Sequence, residues 1–340
     1  KDNYTNIILP ENVNMDNIFE SGNVFNWMDG FSPNVSKNLH IGHLSNLVLA
    51  KSFKSLGLCY STVSIYGDTL DGEVKKEDAI LALKNYQTIF DFFPDKEFMA
   101  SEMEYQGFLL EDGIGKYEGT KVFAVGDEKE VGIKSNGQTS YFYQDVALAE
   151  ILDAPTLYLT GKEQNNHFNH LKKLFNGVEH IGLGLVKVSG KKMSNRIGNV
   201  LFIDDFIEQV KETFNGDMKL IYNVFAGFIL KSNPEVDKSI NMDLISNPKN
   251  SAGLYISYTT ARLYSAGCEL NQSNKFKSLS LSFSEIKSKV NLKPNILFEA
   301  LVEHCKEING LYMSHNIKDN PENKVIFEAL LSDLLYGCGI

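Results

Sequence analysis

The chain has 340 residues, and 33 Lys and Arg against 43 Asp and Glu give a net charge of −10; this length suits one large domain with a smaller one, or two domains. With 43% hydrophobic and 22% charged residues and only 8 Pro, disorder and collagen-like repeats are excluded, and the acidic balance argues against indiscriminate polyanion binding while leaving room for a local basic face. No apolar run has the length of a membrane span, residues 1–20 lack the layout of a signal peptide, and Cys59, Cys268, Cys305 and Cys338 stand too far apart for a CxxC or zinc site, so a reducing cytoplasm and no membrane are expected.

The first strong element is a helix over Leu44–Leu56, with apolar residues near helical spacing and Gly57 where a C-cap glycine belongs. It is fed by a loop, FSPNVSKNLHIGH, and followed by a β-branched and aromatic strand at 60–67. A helix is predicted over 78–93, stopped by Pro94. Residues 111–140, rich in Gly and charge with short strands at 120–126 and 130–135, read as a β-rich insertion whose outer bounds are set at about 70–140. Then follow a helix at Tyr143–Leu152, a buried strand at Thr156–Thr160, a helix at Asn166–Phe175 and one strand over His180–Val188. After the loop SGKKMSNRIGN (189–199), Asp204 and Asp205 are expected to cap the next helix. This alternation predicts an α/β fold: a Rossmann-like, doubly wound parallel sheet with a β-rich insertion. From about 217 strand signals fade and four helical stripes predict a small α-helical bundle, interrupted by a polar, Lys-rich stretch at 270–295. The divisions are 1–215 for the catalytic domain, 216–250 for connecting helices and 251–340 for the bundle.

Two segments carry chemistry. In Ser32-Pro33-Asn34-Val35-Ser36-Lys37-Asn38-Leu39-His40-Ile41-Gly42-His43, two imidazoles stand at the mouth of a helix whose first N–H groups are expected to be free. Such an end favours anions through open donors and the helix dipole, and Gly42 allows close approach. The second segment, Gly190-Lys191-Lys192-Met193-Ser194-Asn195-Arg196-Ile197-Gly198-Asn199, is a glycine-flanked loop with cations and a serine, suited to clamping a polyphosphate. In isolation the first reads as surface histidines on a capped helix and the second as a solvated turn. Together in an α/β chain they carry a sharper meaning.

The pair resembles the signature motifs of class I aminoacyl-tRNA synthetases: His40–His43 is similar to HIGH and Lys192–Asn195 to a variant KMSKS. Within that class the likeness is to arginyl-tRNA synthetase, through Ser32-Pro33-Asn34, Lys37 three residues ahead of His40, Asn195 in place of the second KMSKS lysine, Tyr141-Phe142-Tyr143-Gln144-Asp145, Gly161-Lys162-Glu163-Gln164 with His167-Phe168, His180-Ile181-Gly182-Leu183-Gly184, and Tyr255, Tyr258 and Arg262. It covers roughly 25–340.

The resemblance implies ATP-dependent activation of arginine as its adenylate and transfer to the 3′ end of tRNA, with Mg2+ carried on the ATP phosphates, no protein metal site, and a monomer. It implies that Asp29, Tyr141 and Asp145 hold the guanidinium, whose planar fork of donors suits carboxylates. Asn34 and Gln164 would bind the amino acid's α-ammonium or carboxylate. His40, Gly42 and His43 would meet the α-phosphate or ribose, with His167 near the ribose. Val186, Met193 and Ser194 would line the ATP site. Lys37 and Lys192 would share the pyrophosphate. His170 and His180 read as structural, and His304 and His315 as surface residues.

Three departures are visible. The segment ahead of Ser32 is shorter than the family's tRNA-gripping N-terminal domain, so the resemblance is to a truncated form. The helical module that reads the anticodon region is cut down, and Asp29 replaces a glutamate. Two alternatives stay open: a paralogue passing activated arginine or a related amino acid to a non-tRNA acceptor, and a non-catalytic tRNA-binding paralogue. Lysines at 272–294 and 318–324 could contact phosphates.

Overall fold

The structure, a computed structural model, describes residues 25–35, 37–55, 58–67, 76–105, 110–188, 191–192, 200–269, 293–314, 324–328 and 331. In chain order, β1 (Phe25–Asp29), α1 (Ile41–Ser55), β2 (Cys59–Tyr66), α2 (Lys76–Ile89) and β3 (Lys96–Met99) come first. A small antiparallel sheet follows, β4 (Leu110–Asp112), β5 (Lys121–Val125) and β6 (Glu128–Ile133). Then come α3 (Tyr141–Leu152), β7 (Thr156–Gly161), α4 (Asn165–Leu174), β8 (Val178–Leu183), β9 (Val186–Val188), β10 (Lys191–Lys192) and α5 (Ile203–Lys211). The remainder comprises α6 (Met218–Leu230), β11 (Lys238–Ile240), α7 (Met242–Ile245), α8 (Ala252–Ser265) and α9 (Pro294–Ser314).

Five strands form a parallel sheet in the order β3-β2-β1-β7-β8. The chain winds outward from β1 to β3, returns past the small sheet, and lays β7 on the other side of β1. Connections therefore diverge between β1 and β7, the switch point at which ligands bind in open α/β sheets. One face is covered by α1, α5 and α6, where Leu44, Leu47, Phe206 and Phe225 pack on Met28, Leu157 and Leu159. The other is covered by α3 and α4, where Phe142, Val146, Phe168 and Leu171 meet Val63 and Tyr158. The alternation along β7, Leu157 and Leu159 one way and Tyr158 the other, assigns each residue to its layer. The fold is α/β and doubly wound, and each fully buried Leu or Phe in these layers contributes roughly 1.5–3 kcal/mol.

Four expectations need correction. Lys96–Met99, inside the expected bounds of the insertion, belongs to the main sheet, because β3 pairs in parallel with β2; among the described residues the antiparallel sheet begins at Leu110. The strand expected over His180–Val188 is two, β8 in the main sheet and β9 in a three-stranded sheet with β10 and β11. The break falls at Gly184, whose added Cβ would lie 2.2 Å from the Val236 carbonyl carbon, so only glycine lets the chain turn against that backbone. β11 interrupts the helical part, pairing with β9. Asp204 and Asp205 lie inside the first turn of α5, whose N-cap is Phe202 with no side-chain cap; they face the helix dipole instead.

The helical part has its own core of Ile256, Leu263, Leu297, Phe298, Leu301 and Phe327. Asp217 caps α6 and Ser251 caps α8 through side-chain oxygens that accept first-turn N–H groups. α6 and α8 cross at two glycines, where a Cβ on Gly253 would stand 1.9 Å from the Asn223 carbonyl oxygen. Across α8 and α9, Asn309 donates to Thr259 Oγ1 at 2.8 Å and accepts from Arg262 at 2.9 Å. Cys59, Cys268 and Cys305 are free and buried; Cys338 and His315 lie outside the described residues. His304 is mostly buried on α9, its ring 3.7 Å from Glu307, not a surface residue. Among the described residues, no helix is long and apolar enough to cross a membrane.

Candidate active site

A cleft of about 710 Å3 opens at the switch point, lined among others by Asp29, Ser32, His40, Gly42, His43, Gln164 and Val186. Its walls are the carboxyl ends of β1, β7 and β8, the start of α1, and Val200 beyond the second signature segment. The volume falls in the range of small-molecule sites. The first segment meets the chain just past the second: Ile41 N–H donates to Leu201 O at 3.1 Å and Ile203 N–H to Leu39 O at 3.0 Å. Residues far apart in the chain thus form one side of the cleft.

The first-turn donors of α1 are not free, contrary to expectation. Ile41 N–H is committed to Leu201, Gly42 N–H donates to His40 Nδ1 at 3.1 Å, and His43 N–H donates to His40 O at 2.8 Å. His43 Nδ1 in turn accepts from His40 N–H at 3.1 Å, and the two rings stack with centroids 3.9 Å apart. A ring nitrogen that accepts an amide N–H carries a lone pair, so in each neutral ring the proton sits on Nε2. Burial lowers both pKa values, that of His43 to about 3 with His40 adding to the shift. The pair is therefore neutral near pH 7, and its ε N–H groups are the donors at this helix mouth.

Also lining the cleft, Asp29 ends β1 almost fully buried, and Ser32 Oγ donates to its Oδ1 at 2.5 Å. Burial raises its pKa to about 7, against the lowering effect of Ser32, and the nearby Asp145 carboxylate adds to the rise. Asp145, on α3, is held by His167 Nε2 at 2.6 Å, both side chains largely buried. One Asp145 oxygen is thus committed to imidazole. Asp29 lines the cleft and Asp145 does not; the two acids are near enough to interact, and a cation between them would offset the repulsion that keeps Asp29 protonated.

The remaining candidates are scattered. Tyr141 is 63% exposed at the start of α3. Asn34 bridges to Gly67 and packs against it, and Lys37 is exposed; neither lines the cleft, nor do Tyr141 and His167. The backbone of Lys192 pairs with Lys187 in β10–β9, while Met193 and Ser194 lie outside the described residues. His180 bonds Thr160 at 2.9 Å and stacks on Phe168, with burial lowering its pKa to about 4. His170 is clasped between Glu128 and Glu130 of the small sheet, at 2.7 and 2.6 Å. Both histidines are structural here.

Sequence reasoning missed several residues that shape the cleft. Ser32 anchors Asp29 and also accepts Ile65 N–H at 2.9 Å, tying β1 to β2. Asp237 joins Lys162 to Lys187 and accepts Leu185 N–H at 3.0 Å, bracing the wall that carries Val186; these hydrogen bonds from the two lysines and Leu185 hold its carboxyl well below the usual range. Ser32 stands only three residues from Asp29, but its bond to Ile65 and every partner of Asp237 lie tens of residues away, where no local pattern announces them.

No family model matches the chain. It is 25% identical over 334 residues to the arginine–tRNA ligase of Lactobacillus johnsonii, covering 83% of this chain and 56% of the relative. A Clostridium botulinum arginine–tRNA ligase is 27% identical over 344 residues, covering 85% and 57%. The chain thus spans about half the length of these relatives. Among solved structures, arginyl-tRNA synthetase from Plasmodium falciparum superposes with a TM-score of 0.61 at 19% identity, covering 96% of this chain and 77% of that one. The Thermus thermophilus enzyme gives 0.60 at 14% identity, covering 96% and 84%. The relatives agree with the motifs: in sequence this chain is similar to arginine–tRNA ligases, and its fold is that of the arginyl members of the class I aminoacyl-tRNA synthetases.

Proposed function

We propose that the chain activates arginine with ATP, forming arginyl-adenylate and pyrophosphate, and transfers arginine to the 3′ end of tRNA. The observation that carries this reading is the cleft itself, lined by two imidazoles whose ε N–H groups are free to donate and by a buried acid. In-line attack of a carboxylate on an α-phosphate needs placement and charge stabilisation more than covalent help from the protein. His40 and His43, held by their δ nitrogens, donate to the α-phosphate as negative charge shifts towards the leaving pyrophosphate. Being neutral, they act as aimed dipoles, and Lys37 and Lys192 supply the positive charge. Gly42 leaves room for the nucleotide and Val186 lines the adenosine side, while His167, Met193 and Ser194 keep the ribose and ATP roles that the resemblance implies. When bound on the ATP phosphates, Mg2+ would offset their charge.

The amino acid enters on the side of Asp29. Its guanidinium lies between Asp29 and Asp145 with Tyr141 at the rim, and Gln164 and Asn34 hold the α-groups. A bound cation reverses the preference of Asp29 for its proton, so binding expels that proton to solvent. The domain division accompanies this reading: 1–215 catalytic, 216–250 connecting, 251–340 contacting tRNA.

ATP–pyrophosphate exchange across the amino acids, with and without tRNA, tests the proposal. Arginine-dependent exchange is expected, and its absence in both conditions overturns the reading. Charging of bulk tRNA with labelled arginine then tests the acceptor; exchange without charging moves the reading to a different acceptor.

A further inference from the structure

Tyr158 stands at the middle of β7, completely buried. In the parallel register it lies between Asp29 of β1 and His180 of β8. Paired residues of neighbouring strands leave the same face of a sheet, so its side chain shares a face with the Asp29 carboxylate. That face is roofed by α3, which carries Asp145, and by α4, whose Phe168 ring lies 4.9 Å from the Tyr158 ring. The hydroxyl is fully enclosed and has no protein partner among the described residues. A buried tyrosine normally finds one, because an unmet hydroxyl costs about 1–3 kcal/mol. Burial pushes its pKa well up, and the Asp145 and Asp29 carboxylates push the same way, so the group is a neutral hydroxyl beside both acids.

We propose that the Tyr158 hydroxyl completes the cation slot, accepting an N–H from a bound guanidinium and donating its own proton to one of the two carboxylates. This rests on the arginine reading of the slot and adds a residue that neither the motifs nor the resemblance assigns. Acceptors then approach from β1, β7 and α3. A planar fork of five donors can serve all three, whereas an ammonium is a point charge with tetrahedral donors and leaves part of the set unmet. Unmet buried acceptors are what allow a site to reject a near relative. Tyr158 is thus a specificity residue, setting arginine against lysine.

The test is Tyr158→Phe, which removes one oxygen and keeps the ring. Calorimetric titration with L-arginine and with L-lysine is combined with melting of the ligand-free protein. The variant is expected to melt at or above the wild-type temperature without ligand, since it loses an unmet hydroxyl. It should bind arginine about tenfold more weakly and lose preference over lysine by a similar factor. Wild-type affinity for arginine in the variant overturns the inference. So does a lower ligand-free melting point or a failure to fold, either of which means that the hydroxyl is satisfied within the fold. If the wild-type protein itself binds no arginine, the reading of the slot fails and this inference fails with it; normal wild-type binding with an unaffected variant sinks the inference alone.

Discussion

An acid whose proton is held near neutrality makes ligand affinity a function of pH. The folded value of Asp29, about 7, lies above its ordinary 3.8. The stability tied to that proton is complete below about pH 4 and is lost as pH rises through 7. A guanidinium stabilises the ionised form, so arginine should bind better as pH rises from 6 to 8, by at most about tenfold per unit. Exchange kinetics should show this as a falling arginine KM, and Asp29→Asn should flatten the profile while weakening binding. Titration calorimetry at pH 7 in two buffers of different ionisation enthalpy should detect proton release. His43 has the opposite linkage. Its folded value of about 3 lies below 6.5, so its contribution is present above pH 6.5 and lost as pH falls towards 3. Between pH 6 and 8 His43 should add no limb to the rate profile. Replacing His43 by Ala should lower kcat of exchange by about 10²-fold while leaving the arginine KM near wild type, if the ring meets phosphate as proposed.

At the scale of elements, the cleft depends on where strands stop. Gly184 ends β8 against the backbone of Val236 and Asp237, and the chain re-emerges as β9 in another sheet. Gly184→Ala should cost about 1–3 kcal/mol through overpacking, measurable by denaturant unfolding, and should raise the ATP KM because Val186 moves with the wall. The same place shows what the sequence conveys and what it does not. The apolar spacing of Leu44, Leu47, Val48 and Phe53 makes α1 legible, and the alternation of short strands and helices makes the parallel sheet legible. The run from His180 to Val188 reads as one strand because its only local sign of a break is Gly184, whose reason is the backbone of Val236 some fifty residues later. β11 escapes detection for a like reason: three residues among polar neighbours become a strand only because β9 offers an edge. In the site, the imidazoles and basic loop carry a recognisable spacing. The Asp145–His167 pair, the Asp237 brace and the buried Tyr158 do not, since each is a contact between elements. The motif also suggests free amides at the helix mouth, whereas the imidazole δ nitrogen of His40 and the Leu201 carbonyl occupy two of them.

At the scale of the molecule, α6 belongs to two cores. Ile221, Val224 and Phe225 pack into the layer under the sheet, and Leu230 packs against the core of α8 and α9. Gly253→Ala should cost about 1–3 kcal/mol or more, since the added carbon meets backbone on α6 and not a side chain that can swing away; urea unfolding of wild type and variant measures it. The glycine crossing has a mechanical consequence. Two main chains in direct touch leave no rotamers to act as a bearing, so the distance from the cleft to the far helices is a fixed gauge. Any elongated partner gripping both must do the bending itself.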